Sequence, residues 1–133
     1  MIKLDILTPE KKVFSGEVAD VYLPTEAGEI GVLETHTAMV TPLLPGELRY
    51  AQDGQIHALA IGSGFAEVDQ QGATILTDMA ISADEVDEAQ AEEQKSAAEK
   101  ALEGLDHNED AEEIAQLKAT IGRSVAQLQL KRR

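Results

Sequence analysis

Hydrophobic and polar residues alternate along the chain from Ile2 to about Ala80. In the segment IKLDIL, every second position is apolar (Ile2, Leu4 and Ile6), which is the period of a half-buried strand. Turn signals recur at intervals of about 8–12 residues, a spacing typical of sandwiches and barrels. A parallel α/β fold is excluded because no helix-length segment separates these strands.

Two hairpins stand out in this region. Asp53-Gly54 joins ELRYAQ to QIHALAIG, and a type I′ turn needs the positive φ angles that this pair tolerates. The segment GFAEVDQQGATILTDM predicts a second hairpin. Between them, Gly62-Ser63-Gly64 predicts a tight strand connection rather than a phosphate cradle, because no helix N-terminus follows it.

The pattern changes after Ile81. Ser82 and Glu85 form a capping-box signature, which predicts a helix over about 83–102 ending at Gly104. Asp106 or Asn108 is expected to cap a second helix that runs to about Leu130. Its apolar residues recur at spacings of three and four and predict a single stripe: Ile114, Leu117, Ile121, Val125 and Leu128.

The two helices are expected to form an antiparallel hairpin. The first helix is rich in alanine, and Gly122 within the second costs about 1 kcal/mol relative to Ala. A hairpin that pairs weakly with itself can open, so a packed and an opened hairpin remain alternatives. We therefore predict an α+β protein: an antiparallel β-sandwich over residues 1–82, then the two-helix hairpin over residues 83–133.

Composition narrows the classes of function. The chain has 133 residues, no cysteine and a formal net charge of −14. Nucleic-acid binding through a basic surface is therefore disfavoured, and so is direct adhesion to anionic lipid. The histidines are scattered without ligand spacing, so no metal site is expected. Without a secretory signal or an apolar span, we expect a protein that reaches a membrane only through a partner.

Catalytic chemistry is weakly indicated. His36 lies two residues after Glu34, and Ser63 lies in GSGF, but the GxSxG elbow is missing. A partner contact is the favoured role for His36, with a small sandwich enzyme using His36 and Glu34 as one alternative. A free-standing acidic adaptor is another.

Ordered motifs along nearly the whole chain resemble the epsilon subunits of F-type ATP synthases, called delta in mitochondria. FSGEVADVYLPTEAGEIGVLETHTAMVTPLLPGELR and GSGFAEVDQQGATILTDMA carry the pattern. One loop departs from it, since Glu34, Thr35 and Ala38 stand where the family has Pro, Gly and Pro. The matching positions are Phe14, Gly16, Gly28, Glu29, Gly31, His36, Thr41, Pro45 and Gly46.

The resemblance implies a non-catalytic rotor subunit of the central stalk, which is a monomer when isolated. Its sandwich would contact the gamma subunit through Thr8, His36 and Thr41, and the ring of c subunits through Glu29, Ile30 and Gly31. It would be peripheral on an energy-transducing membrane, on the cytoplasmic side in bacteria or the stromal side in chloroplasts.

For the hairpin, the resemblance implies inhibition of ATP hydrolysis. The basic residues that would meet an acidic segment of the beta subunit in the alpha/beta ring are Lys118, Arg123, Lys131, Arg132 and Arg133. Some members also bind ATP here. Asp87, Ala91 and Arg123 match that motif, but Gln90 and Gln127 replace two arginines. Without those guanidinium groups we expect weak or no ATP binding and no cofactor.

Overall fold

The computed structural model describes residues 1–33 and 38–133, in which ten strands form two five-stranded sheets. The first sheet has the order β2-β1-β9-β8-β5, and the second has the order β10-β7-β6-β3-β4. The strands are β1 (Ile2–Leu7), β2 (Lys12–Val18), β3 (Asp20–Thr25), β4 (Gly28–Val32), β5 (Met39–Leu43), β6 (Gly46–Gln52), β7 (Gln55–Ile61), β8 (Gly64–Val68), β9 (Gly72–Thr77) and β10 (Ala80–Ile81).

The sheets pack face to face around an aliphatic core. Ile2, Leu4 and Ile6 all point inward and are buried, as their alternation predicts. The other core residues alternate in the same way, so the residues before and after each of them in its strand point outward. Examples from other strands are Val18, Val21, Leu23, Leu48, Ile61, Ala66 and Ile75.

Both predicted hairpins are present. Asp53 and Gly54 have φ angles of 53° and 78°, which is the left-handed pair that a type I′ turn requires. β8 and β9 pair antiparallel, and the Asp69 carboxylate between them accepts the backbone N–H groups of Gln71 and Gly72. Gly62 and Ser63 connect β7 in one sheet to β8 in the other, which confirms the tight connection.

One pairing differs from a purely antiparallel sandwich. β1 lies between β2 and β9, and it pairs antiparallel with the former and parallel with the latter. A long stretch of chain separates β1 from β9, which is the condition for a parallel pair. Alternation within a strand does not report strand direction, so the sequence could not reveal this pairing.

The predicted fold class is confirmed, because two helices follow the sandwich: α1 (Glu88–Glu103) and α2 (Ala111–Lys131). The start of the first helix was predicted too early. Ser82 and Glu85 do pair, but they enclose only the 3₁₀ turn Ala83–Glu85, and Val86 is extended with ψ of 124°. Asp87 caps α1 instead, accepting the Gln90 N–H at 3.0 Å, and Gly104 ends it as predicted.

Neither Asp106 nor Asn108 caps the second helix. The Asp106 carboxylate accepts the backbone N–H groups of Asn108 and Glu109, so it closes a turn in the connector. The residue preceding the helix is Asp110, whose own carboxylate accepts the Asp106 N–H at 3.0 Å. The side-chain oxygens at this corner therefore stabilise the connector.

α2 has two covered faces rather than the single predicted stripe. Ile114 and Leu128 are buried on one side of the helix. About half a turn away around the helix, Ala126 and Leu130 are buried against the second sheet, where Ala58 and Ala60 project outward from β7. α2 therefore lies between the sandwich and α1, and the hairpin is packed.

Gly122 belongs to this second face. A Cβ at this position would lie 2.8 Å from the Pro45 Cγ, so the missing side chain allows α2 to approach the sandwich closely. The contact at Pro45 offsets the low helix propensity of glycine.

We expect Gly64→Ala to lower the free energy of unfolding by about 1–3 kcal/mol, which is typical of overpacking. A Cβ at Gly64 would overlap the backbone of Leu76 on the neighbouring strand. Urea unfolding measures the change. Gly104→Ala is the matched control, because no atom lies within 4 Å of its added Cβ. Equal stability of both variants would contradict the prediction.

We also expect Glu85 to titrate below its ordinary pKa of 4.5. The backbone N–H and then the hydroxyl of Ser82 donate to its carboxylate, at 3.0 and 3.1 Å, and lower this pKa. A lowered pKa in the folded state stabilises the fold above the ordinary value, and that contribution is lost as pH falls through the lowered pKa. NMR titration should show that the Glu85 pKa is lowered, and that it is lowered less in Ser82→Ala. A Glu85 pKa at or above 4.5 in the unaltered chain would refute the prediction.

Candidate docking surfaces and hairpin contacts

The outer face of the first sheet carries a continuous line of apolar side chains. Pro42, Phe65, Leu76 and Leu7 are register partners across β5, β8, β9 and β1, and we call these four the apolar row. Phe65 is 54% exposed, and its neighbour Val40 on β5 is 68% exposed. Pro42 and Leu76 are exposed as well, and Leu7 is partly buried. A line of apolar side chains at the surface across four strands is typical of a protein-binding surface.

A groove of about 390 Å³ opens at one end of the apolar row. Leu7 and Leu76 belong to both features, and Thr8, Pro9, Ser63 and Asp78 are also part of the groove wall. Asp78 is the only charged side chain among the described residues that line it. The groove can therefore accept an apolar segment and offers one carboxylate to a cation.

The residues predicted to face gamma do not form one cluster. Thr8 follows β1 and lies in the groove wall, where its hydroxyl donates to the Lys11 carbonyl at 3.3 Å. Thr41 lies on the edge strand β5, which β9 and β8 separate from β1, and is partly buried on the inward side. His36 and Glu34 lie outside the described residues, so the structure does not bear on either the partner contact or the catalytic alternative there.

The predicted c-ring residues lie on β4, the edge strand of the second sheet. Arg49 Nη2 donates to both carboxylate oxygens of Glu29 at 2.6 Å, and its guanidinium lies 5.3 Å from the centre of the Tyr22 ring. Gly31 is the register partner of Tyr22, and an added Cβ there would lie 2.9 Å from the ring. Ile30 pairs with the buried Leu23 and is partly buried itself, so its contact with a partner is limited.

Four of the five predicted inhibitory residues contact their own chain. Arg123 donates to Asp78 at 3.1 Å, Arg133 pairs with Glu47, and Lys131 donates to the Ala83 carbonyl at 3.2 Å. Arg132 lies 2.6 Å from Glu88 and 3.4 Å from Glu92, and the first of these bonds raises its pKa. Lys118 is exposed on α2.

The residues matched to the nucleotide motif face different surroundings. Asp87 caps α1, Ala91 is buried, and Arg123 points to Asp78 and also donates to the Thr120 hydroxyl at 3.1 Å. Phosphate recognition needs convergent donors, and these three side chains do not converge in this arrangement.

Other site chemistry is limited in the described part of the chain. The Ser63 carbonyl accepts from the Asp78 N–H and the Thr77 hydroxyl, which is a structural role in the strand connection. Residues 1–33 and 38–133 contain no group of three acidic, histidine or cysteine side chains arranged to hold a metal. In the same residues, neither helix has the length and apolar character that crossing a membrane requires.

The apolar row was not predicted from the sequence, although a signal was present. In GFAEV, Ala66 and Val68 enter the core, so alternation places Phe65 on the opposite, outer face. Leu76 is placed outward by the same argument, because Ile75 and Thr77 are buried. An apolar side chain out of phase with the core pattern was the available indication of a docking surface.

Comparison with known proteins identifies relatives of this architecture. A family model for the β-sandwich domain of the ATP synthase delta/epsilon chain matches residues 1–83. The ATP synthase epsilon chain of Herpetosiphon aurantiacus is 41% identical over 133 residues, with 98% of each chain covered. That of Ruthia magnifica is 36% identical over 129 residues, which covers 97% of this chain and 91% of the relative.

Two solved structures share the fold. A chain of the Euglena gracilis mitochondrial ATP synthase, from an OSCP/F1/c-ring assembly, superimposes with a TM-score of 0.77 at 24% identity. That match covers 94% of this chain and 78% of the other. A chain of the Tetrahymena thermophila central stalk and c-ring has a TM-score of 0.55 at 14% identity, covering 63% and 68%. At these identities the likeness concerns the fold alone.

Proposed function

The chain belongs to the ATP synthase delta/epsilon family, and on this premise we propose that it is a non-catalytic rotor subunit of the central stalk. In this role it links the gamma subunit to the ring of c subunits while ion flow drives ATP synthesis. The observation that carries the proposal is the difference between the sheets. α2 covers outer alanines of the second sheet, whereas the apolar row on the first sheet is exposed.

The apolar row and its groove are the proposed surface for gamma. On this face, Phe65 is 54% and Val40 is 68% exposed, so both have apolar surface to bury, at about 25 cal/mol per Å². Thr8 lies in the groove wall and borders this surface, whereas Thr41 is on the edge strand β5 with its side chain on the inward side. The proposed gamma interface therefore extends from the groove across four strands.

The Glu29 corner is the proposed contact with the c ring. It lies on an edge strand, and Arg49 Nη2 donates to both oxygens of the Glu29 carboxylate and so holds it in place. The adjoining β3–β4 turn at Glu26 and Ala27 is exposed. A polar, fixed corner suits a contact made by hydrogen bonds at one end of the sandwich, away from the apolar row.

The hairpin is proposed to inhibit ATP hydrolysis by contacting the beta subunit of the alpha/beta ring. In the packed hairpin, Arg123, Arg132 and Arg133 are paired with acidic residues of the same chain. Contact of Arg123 and Arg133 with an acidic segment of beta therefore requires release of the hairpin from the sandwich, and contact of Arg132 requires separation of the two helices. The packed state is the non-inhibitory one. Because Asp87 and Arg123 are engaged elsewhere, ATP is expected to stabilise the packed state weakly or not at all.

The proposed location follows from the partners. The subunit is peripheral to the membrane complex, and the face proposed is the cytoplasmic one in a bacterium or the stromal one in a chloroplast. Membrane contact runs through the c ring, which fits a net charge of −14.

We expect Phe65→Ser to weaken binding to purified gamma by about ten-fold or more, because central aromatic anchors dominate interfaces. Biolayer interferometry with immobilised gamma measures the affinity. Ile56→Ser is the matched control, since Ile56 is 77% exposed on the outer face of the other sheet. Equal losses in the two variants, or none in Phe65→Ser, would refute docking through the apolar row.

We expect deletion of residues 84–133 to raise ATP hydrolysis by the assembled enzyme while assembly is retained. The sandwich keeps its own core, and the deletion uncovers Pro45 and the small outer cluster at Ala58, Ala60, Met79 and Ile81. Steady-state hydrolysis and co-purification with gamma measure the two effects. An unchanged rate in a complete assembly would rule out an inhibitory hairpin.

A further inference from the structure

Asp78 has two roles that no other described residue combines. Its carboxylate accepts from Arg123 of α2 at 3.1 Å, and it is also part of the groove wall beside Leu7, Thr8 and Leu76. The ion pair therefore joins the hairpin to the surface proposed for gamma. The Asp78 side chain is 42% exposed, so a second cation can reach its carboxylate.

The contact between Asp78 and Arg123 is shaped by the surrounding chain. A Cβ at Gly62 would overlap the Asp78 carboxylate and would lie 3.2 Å from the Arg123 Cγ, so glycine leaves room for both side chains. Thr120, one turn earlier on α2, accepts a second bond from the guanidinium at 3.1 Å. One turn later, Gln127 donates to the Met79 sulfur at 3.0 Å, next to Asp78 in the chain.

The Asp78–Arg123 pair is weak enough to be exchanged. The Arg123 side chain is 32% exposed, and ion pairs that water reaches contribute little to stability. When a partner covers the groove, water leaves and a cation aimed at Asp78 gains strength. The groove is otherwise uncharged and the whole chain carries −14, so a basic side chain is the occupant that this surface favours.

We propose that the docked gamma subunit places a basic side chain in the groove against Asp78, in exchange for Arg123. This inference rests on the proposed function. Docking then removes one of the contacts that hold α2 on the sandwich, so gamma binding loosens the hairpin. Because coupling is reciprocal, loosening the hairpin at Arg123 also strengthens gamma binding.

A double-mutant cycle on the full chain tests the exchange, with gamma affinity as the measurement. Arg123→Gln should tighten binding by about three-fold, because Asp78 no longer has an internal competitor. Asp78→Asn should weaken binding, and adding Arg123→Gln to it should then change nothing. Arg132→Gln is the matched control and should have no effect, because Glu88 and Glu92 both belong to the hairpin.

Hairpin position provides an independent readout. The chain has no cysteine, so Glu17→Cys and Glu113→Cys can carry a donor and an acceptor dye on the sandwich and on α2. Energy transfer should fall when gamma is added, and the fall should be smaller in Asp78→Asn. Circular dichroism confirms that each variant is folded.

The outcomes separate the two proposals. If the chain binds gamma but Arg123→Gln changes the affinity equally in the unaltered chain and in Asp78→Asn, the exchange is overturned and the rotor function stands. The same conclusion follows if gamma binds without changing the energy transfer. Absence of gamma binding by the unaltered chain overturns the rotor function, and the exchange with it.

Discussion

Burial of one face of each sheet against the other is the constraint on which the rest of this structure depends. A strand that sends alternate side chains into the core must send the others outward, so every sheet leaves one face to be covered or exposed. The second sheet places Ala58 and Ala60 outward, and α2 covers them. The first sheet places Phe65 and Leu76 outward, and they remain exposed.

Small residues let α2 lie close to the sandwich, with Leu130 as the large apolar side chain that the helix buries there. Ala58, Ala60, Gly122 and Ala126 bring helix and sheet close, but they bury little apolar area individually. Polar contacts at Asp78 and Glu47 complete the attachment. An attachment of this kind is stable enough to position a hairpin and weak enough for partners to change, which suits a regulatory element.

Features set by local sequence patterns could be predicted. Alternation in IKLDIL was sufficient to predict strand β1 and its buried face, and the Asp53-Gly54 pair was sufficient to predict the β6–β7 hairpin. The sequence could not predict contacts between distant segments. The parallel pairing of β1 with β9, the Arg123–Asp78 pair and the second buried face of α2 all depend on tertiary packing. The predicted cap at Asp106 was wrong because its carboxylate accepts the backbone N–H groups of Asn108 and Glu109 in the connector instead of an N–H group of α2.

The parallel pairing of β1 with β9 has a consequence for biosynthesis. β1 is an interior strand of the first sheet, yet one of its two neighbours, β9, is formed by residues 72–77, far along the chain. A nascent chain can pair β1 with β2 early, but the other edge of β1 stays open until β9 leaves the ribosome. Such non-local closure slows folding and leaves an unpaired strand edge accessible to other chains, which makes this interval a period of aggregation risk.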